Sequence, residues 1–567
     1  LKQLSTISAV GRSLIEHKFN EPSSRAEEFA QKRFLSKLEV PDSNNQKQRA
    51  DEAWRNWLES DRTLQLPPLL KPDWARAKLI LAGILKDFHI GPVSFTNGSE
   101  FHPTNGFGSI ESKLRRSKWT CTYDNFDLWY TTVMSHHGLK LAFRKRFASL
   151  LASKHIDGRE FNRWLYKRNR IFADFPERIR KIKLMMVTTM VQGNRFSTVP
   201  KNNLKDRPIC IEPLANILTQ RRIGLGIRNC LKQIGVDLNF TAEIHRELIR
   251  SDKFATIDLK DASDRISLQL CNYLLPSKLM KLINQTRSEM TLGPDDNFYI
   301  INKVSSMGNG FTFELMSLIL YSLCKSYTDK CSVFGDDIIV DCRYAEQIIS
   351  DLTNGGLIVN YAKTHINDGY RESCGAHYFD GEGYVKSYDF RWPNNISDVI
   401  TTLNKLNDLS NVYPSFRSLF VKVCDSVPGT LYPNYLPKAG GYWTQIVRPS
   451  EITRLDRFCE CSRWYFNTKG MHMKPRIRKI LQVFGKNLQL DTRGAEMHLA
   501  FEWRDRLRPP TKVRAGFDWA KILMYIASGR ICNDSRRGDG AFKSFLVITL
   551  QNGQTFRLSD IVVAIST

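Results

Sequence analysis

The stretch SVFGDDIIVD, residues 332–341, sets two adjacent carboxylates, Asp336 and Asp337, directly behind Gly335 and between two apolar runs. Residues 332–334 and 338–340 are rich in β-branched and aromatic side chains and read as short strands, so Gly-Asp-Asp is the tip of a hairpin. Like charges this close raise each other's pKa. Gly and Asp are also ordinary turn residues. A given Gly-Asp-Asp arises by chance about 0.1 times in a chain of this length, so the triplet fits a plain turn as well as a site until other residues decide.

Three other stretches carry chemistry. VPKNNLKDRPICIEP (199–213) holds Lys201, Lys205 and Arg207 at alternating or near-alternating positions. In an extended segment they would face one side, where they could grip a triphosphate; an exposed basic loop is the other reading. SSMGNGFTFELMSLILYSLCKSY (305–327) opens with Ser306-x-Gly308-x-x-x-Thr312 at the start of a helix. Its free N–H groups and small side chains suit a ribose or a template backbone, and a Gly-rich helix start is the alternative. Lys363 stands just past a short strand, within reach of a leaving pyrophosphate or simply as a surface charge.

The elements that must position these residues follow from periodicity. KFATIDL (253–259) reads as a strand ending at Asp258. Asp261, with Asp264 three residues on, resembles a helix N-cap arrangement. Ile266, Leu270, Tyr273 and Leu274 continue at helical spacing until Pro276. NFYIINKV (297–304) predicts a strand. Gly308 and Gly310 form a loop, and Phe311, Leu315, Leu318, Ile319 and Ser322 share one helical face. A helix over 344–354 and a strand over 357–361 complete the set. With 297–304 set aside, the order is strand, helix, strand, strand, helix, strand, the ferredoxin-like split βαβ arrangement. There the first strand runs antiparallel to the third, so Asp258 would meet Asp336 and Asp337. Three converging carboxylates are costly without a cation. Mg²⁺ prefers a few carboxylates and keeps its other positions for water and phosphate oxygens. Two such ions about 3.5–4 Å apart can activate an attacking hydroxyl and stabilise a leaving phosphate.

The chain has 567 residues, room for three or four domain-sized units, and a net charge of +25. That surplus points to a polyanionic partner, most simply nucleic acid. No basic amphipathic terminal segment, lipidation signal, spanning apolar run or signal-peptide h-region argues for a membrane. The 12 cysteines are scattered, with no C-x-x-C and no zinc spacing around Cys459 and Cys461, so free thiols in a reducing cytosol are expected. Residues 140–183 are basic with interleaved aromatics, which suits single-stranded nucleic acid or a solvated helical face. Residues 474–479 and 501–521 are similar mixtures.

Together these residues resemble the palm of RNA-dependent RNA polymerases. TIDLKDASDRIS matches motif A, SSMGNGFTFELMSLI motif B, VFGDDIIV motif C, AKTH with Lys363 motif D, and VPKNNLKDR motif F, while RESCGAHYFDG (371–381) is similar to the hairpin after the palm. DLxxASDxIS, MGNGFTFELxS, RESCGAH, VPKNN and the short SFTNGS (94–99) resemble one group more closely. That group is the replicase catalytic (β) subunit of levivirus-type single-stranded RNA bacteriophages of the Q-beta and MS2 kind. Specific matching covers about residues 190–390.

The resemblance implies an α+β right-hand polymerase with a ferredoxin-like palm. Fingers would span 1–250, including the basic segment 195–213 through which NTPs enter; palm 251–395; thumb and C-terminal region 396–567. It implies Asp258, Asp336 and Asp337 as ligands of two Mg²⁺ ions, and Lys363 as general acid. Lys201, Lys205 and Arg207 would contact nucleotide phosphates, and Asp264, Ser306, Gly308 and Asn309 would lie around the ribose. Motif A departs from the wider pattern, with Ser263 where a second Asp is usual; Met316 stands where motif B often has Asn, and Phe334 replaces a common Tyr. The implied activity is primer-independent, RNA-templated RNA synthesis in the cytoplasm of an infected bacterial host. Its partners would be RNA, NTPs, the host elongation factors EF-Tu and EF-Ts, and a small-subunit ribosomal protein. A reverse transcriptase shares the palm but usually carries another residue at the Gly335 position. A noncatalytic basic RNA-binding virion protein would fit the charge and leave the acidic motifs unexplained.

Overall fold

The computed structural model describes residues 2–426, apart from 37, 39–42, 96–98, 102–112, 115, 117, 173, 202–204 and 394–395, and beyond these only strands at 488–489, 547–550 and 555–557. The centre of SFTNGS, Asn202 and Asn203, Cys459 and Cys461, and the basic stretches 474–479 and 501–521 lie outside the described residues. Contacts divide the chain into two compact units, residues 1–40 with 386–567, and residues 41–385.

The first unit contains the helices Lys2–Ile15, Arg25–Leu35, Ile396–Ser410 and Phe416–Asp425. Phe34 packs at 4.6 Å from Phe390 and 5.9 Å from Phe416. The Glu27 carboxylate is buried in the same unit. Burial opposes its charge, but donors from Ser23 and Ser415 hold its pKa down at about 2.

In the second unit, the ferredoxin-like order predicted from the sequence is present. The strand Asp337–Asp341 lies between Phe254–Ile257 and Cys331–Phe334, antiparallel to both. The short strand Ile358–Val359 pairs antiparallel with Leu259–Lys260, the continuation of the first strand beyond Asp258. One face of this sheet is filled by Ala255, Ile257, Val333, Ile338 and Val340, all in one apolar cluster with the helix Thr312–Lys325. Leu315, Leu318, Ile319, Leu320, Leu323 and Cys324 of that helix are buried, so it is apolar nearly all round, as a helix enclosed by neighbours must be. It packs against the helices Pro72–Ile84 and Leu214–Gln233.

Two expectations change. The 297–304 strand forms only over Phe298–Ile300, and in a separate sheet of order Asp206–Ile211, Asn194–Pro200, Met290–Leu292, Phe298–Ile300. The single helix expected after Asp261 is two, Ala262–Arg265 and Leu268–Leu274. Asp261 is not a side-chain cap: it sits in the left-handed region (φ 49°, ψ 38°) with no cap bond, and Ser267 caps the second helix by accepting from the Leu270 N–H. A β-branched Ile266 in extended conformation between the two helices makes the break.

Candidate active site

The hairpin closes as tightly as its sequence allows. Phe334 pairs with Asp337, leaving Gly335 and Asp336 as a two-residue turn. Gly335 has φ +65°, and a Cβ there would come within 2.7 Å of the Phe313 ring. Its N–H donates to Ser317 Oγ at 2.9 Å, fastening the turn to the central helix. Asp337 begins the outgoing strand and is partly exposed; Asp336 at the tip is exposed.

Asp258 interrupts the first strand. Ile257 is paired with Ile338, so Asp258 occupies the next step of the ladder, toward Asp337. Its main-chain carbonyl accepts from Asn360 N–H at 2.8 Å and its carboxylate from Asn360 Nδ2 at 2.6 Å. The order of strands thus delivers three carboxylates to one end of the sheet, and their electrostatics record the meeting. Partial burial raises the pKa of Asp336, and the Asp258 charge raises it further, against the pull of Arg207 and Lys363. Burial first, then Asp336, pushes Asp337 up to about 6, with Asp258 and Glu372 adding to the rise and the Cys374 main-chain N–H opposing it.

These carboxylates feel one another without forming a closed cage: among the described residues no group of three or more His, Cys, Asp or Glu side chains is gathered closely enough to hold a metal ion. The donor set nevertheless fits a hard cation. It offers carboxylate oxygens only and an excess of negative charge that partial burial makes costly. Mg²⁺ is commonly held by one or two carboxylates and completed by water and substrate phosphates.

Arg207 and Lys363 both act on Asp336. Lys363 ends the turn Tyr361–Lys363, its Nζ 3.9 Å from Glu372 Oε1. The expectation of one extended basic segment is corrected: Asn194–Pro200 and Asp206–Ile211 pair antiparallel, with Val199 opposite Arg207 and Pro200 opposite Asp206. Lys201 donates its N–H to the Lys205 carbonyl at 3.1 Å, and both side chains are exposed at the tip. The strand Asp206–Ile211 that carries Arg207 is fastened at its first residue, where Asp206 pairs with Arg49 at 3.4 Å.

Of the predicted ribose residues, Asp264 and Ser306 lie deeper. Asp264 is buried, accepts from Trp57 Nε1 at 2.9 Å and stands 3.7 Å from Lys303 Nζ. Burial raises its pKa despite Lys303, Ser306 and Trp57. Ser306 is buried, and its carbonyl accepts from Thr312 Oγ1 at 3.1 Å. Gly308 is exposed with φ +111°; a Cβ there would fall 2.2 Å from the Cys210 carbonyl oxygen. Cys210 in turn donates its N–H to the Met307 carbonyl at 2.8 Å, so this loop rides on the Arg207 strand. Asn309 turns its Nδ2 inward without a hydrogen-bond partner of ordinary geometry, toward Glu212.

Glu212, Asn360 and Cys374 were not singled out in the sequence. Glu212 is buried, accepts from Ser288 Oγ at 2.7 Å and Asn194 Nδ2 at 3.1 Å, and borders an enclosed void of about 10 Å³ with Lys303, Ser306 and Asn309. That is room for about one water. A wider groove of about 580 Å³, lined by Asp124, Asn272, Met280, Lys281 and Glu289, contains none of these residues.

The raised pKa of Asp337 has a stability consequence. In the unfolded chain an Asp titrates near 3.9; here the value is about 6. The native state therefore favours the protonated form. Without divalent ions the chain loses stability as pH climbs from 4 through 6, by on the order of 2–3 kcal/mol from this group. Asp337→Asn is expected to be more stable than wild type in EDTA at pH 7.5, with the gap closing near pH 4. Urea unfolding at the two pH values measures it, and a variant no more stable than wild type at pH 7.5 would contradict it.

A model of the family described as RNA replicase, beta-chain, matches residues 168–483. The chain is 36% identical over 272 residues to the RNA-directed RNA polymerase subunit beta of Enterobacteria phage SP, covering 45% of this chain and 47% of that one. It is 28% identical over 404 residues to the RNA-directed RNA polymerase beta chain of Enterobacteria phage GA, covering 68% and 71%. The match to the SP subunit therefore spans about half of that protein's length. The structure of the RNA-dependent RNA polymerase of a human picorbirnavirus aligns with a TM-score of 0.30 at 11% identity, over 42% of this chain and 56% of that one.

Proposed function

The chain belongs to the RNA replicase beta-chain family, and from that premise we propose that it is an RNA-directed RNA polymerase of a single-stranded RNA bacteriophage. The reaction is attack of an RNA 3′-hydroxyl on the α-phosphate of a template-matched NTP, forming the new phosphodiester and releasing pyrophosphate. The observation that carries this is the meeting of Asp258, Asp336 and Asp337 at one sheet end, with Arg207 and Lys363 acting on the same carboxylate.

In this reading Asp258, Asp336 and Asp337 would hold two Mg²⁺ ions, which would supply charge neutralisation for the phosphoryl transfer. Asn360 fixes the Asp258 carboxylate through its 2.6 Å bond, so that one ligand is set before substrate arrives. Arg207 serves the nucleotide phosphates from beside the carboxylates, and Lys201 and Lys205 serve them from the hairpin tip. Lys363 gives a proton to the departing pyrophosphate. Asp264, Ser306, Gly308 and Asn309 shape the ribose side, with Asp264 acting through Ser306 because its own carboxylate is enclosed. The three-part division into fingers (1–250), palm (251–395) and thumb (396–567) belongs to the same proposal. So do action in the cytoplasm of an infected bacterium and assembly with EF-Tu, EF-Ts and a ribosomal protein. Among the described residues no helix is long and apolar enough to cross a membrane.

The test is the purified full chain with bacterial host extract, an RNA template and labelled NTPs, with and without EDTA, and with dNTPs in parallel. Template-dependent NMP incorporation that EDTA abolishes and dNTPs do not support is the expected result. Incorporation of dNTPs at a comparable rate would favour a reverse transcriptase, and RNA binding without incorporation a noncatalytic protein.

A further inference from the structure

Asp336 has two cations acting on it; Asp337 has a different kind of support. It faces the turn of the next hairpin, where Tyr370–Ser373 pairs with Ala376–Phe379 and Cys374 and Gly375 form the two-residue connection. Both turn residues have positive φ, 50° for Cys374 and 73° for Gly375. The Cys374 N–H and thiol are both directed at the Asp337 carboxylate. A non-glycine residue in this conformation carries strain of about 1 kcal/mol, so something must hold it there.

The holding group is His245, on the helix Thr241–Leu248. It is fully buried, and its Nδ1 lies 2.7 Å from Ser373 Oγ and 3.5 Å from Cys374 Sγ. Its ring also packs edge-on to Phe334, 6.4 Å between centroids, and Phe334 is the ladder partner of Asp337. His245 thus touches both hairpins. Burial keeps it neutral, with its pKa lowered to about 4. It works by hydrogen bonding and packing and carries no charge at neutral pH.

The contacts have one consistent direction. With the His245 proton on Nδ1, that nitrogen donates to the Ser373 hydroxyl. That hydroxyl then donates to Cys374 Sγ at 3.7 Å, which leaves the thiol proton for Asp337, the carboxylate the thiol interacts with. His245 Nε2, buried without a partner, is then the bare acceptor nitrogen. Loss of a group that orients a metal-binding carboxylate from behind typically weakens ion affinity by about 10–100-fold.

We propose that His245, Ser373 and Cys374 form a donor chain that positions Asp337 for divalent-ion binding. The proposal rests on the polymerase reading only for what the ion then does. The three residues are positioning residues: they act on the ion through Asp337.

The test uses the full chain and three variants, Cys374→Ala, Cys374→Ser and His245→Phe. Free Mn²⁺ is followed by electron paramagnetic resonance, which needs no turnover, and the Mg²⁺ half-saturation of NMP incorporation is measured beside it. Cys374→Ala and His245→Phe are expected to weaken Mn²⁺ binding by about tenfold and to raise the Mg²⁺ half-saturation in parallel, leaving the NTP KM within about twofold. Cys374→Ser keeps an O–H donor and is expected to bind Mn²⁺ like wild type. A merely structural role would lower the Tm of Cys374→Ala and leave its ion affinity unchanged. Equal Mn²⁺ affinity in wild type and Cys374→Ala, or equal weakening in Cys374→Ser and Cys374→Ala, overturns the proposal. If the wild type is inactive yet Cys374→Ala weakens Mn²⁺ binding, the polymerase reading falls and the donor chain stands. If the wild type is active and Cys374→Ala binds Mn²⁺ equally well, the reverse holds.

Discussion

Asp336→Asn is expected to lower NMP incorporation by about 10³-fold, roughly 4 kcal/mol of transition-state stabilisation, and to leave RNA binding within a factor of about two. The substitution is nearly isosteric and sits at an exposed hairpin tip. The turn itself is held by Gly335, through its φ of +65° and its bond to Ser317, and does not depend on the Asp336 carboxylate. The fold should therefore be indifferent to the change. RNA affinity draws on a net charge of +25, spread over the chain and expressed through counterion release. Removing one anion cannot weaken that attraction. What the amide cannot do is supply an anionic oxygen to a divalent ion beside Arg207 and Lys363. Incorporation, filter binding and thermal unfolding on the same preparation separate these effects. Incorporation at near wild-type rate in Mg²⁺ takes Asp336 out of the site, and a parallel loss of RNA binding would recast it as a structural residue.

The acidic centre was legible in the sequence because two periodic signals agreed there. β-branched runs on both sides of Gly335 fixed a hairpin, and the alternation of strands and helices fixed which strand lies between which others. Together these place Asp258 against Asp337 from residues almost eighty positions apart. The supporting groups were not legible, for a physical reason. Lys303, Glu212 and His245 belong to no motif of their own, and their partners, Asp61 and Asp264, Ser288 and Asn194, and Ser373, come from distant segments. No local pattern marks such a residue, since its meaning is the partner and not the spacing. The Lys201–Arg207 segment was misread for a related reason. Alternating basic residues look the same in an extended run and on the two arms of a hairpin, and the six-residue ladder that makes it a hairpin is a property of the pairing. Asp261 misled because Asp is both a good N-cap and one of the few residues that tolerate the left-handed region it occupies.

Lys303→Met is expected to destabilise the fold by about 3–5 kcal/mol at pH 7.5, the cost of leaving a buried carboxylate without its cation. Lys303 is fully enclosed, its Nζ 3.7 Å from Asp264 Oδ1, 4.0 Å from Asp61 Oδ1 and 3.2 Å from the Trp57 carbonyl, and it lies over the Trp57 ring at 4.0 Å. The two carboxylates are not equally dependent on it. Asp61 keeps the main-chain N–H groups of Asn302 and Lys303, at 3.0–3.1 Å, whatever the side chain at 303. Asp264 keeps only neutral donors, Trp57 and Ser306, against a burial that already raises its pKa. In the variant Asp264 therefore takes up a proton more readily than in wild type, and a protonated Asp264 needs no cation. The destabilisation should shrink as pH falls from 7.5 toward 5. The sign follows from the raised native pKa, because an acid that titrates higher in the folded chain than in the unfolded chain regains stability on acidification. Urea unfolding of Lys303→Met at the two pH values, beside the double variant Lys303→Met with Asp264→Asn, measures the pair. The double variant should recover most of the loss at pH 7.5, since it removes the stranded charge along with its partner. A double variant as unstable as the single one would show that the loss came from the shape of the Lys303 side chain against Trp57. Helix Ser43–Arg62 would then be tied to the ribose side of the site by packing alone, without this buried ion pair.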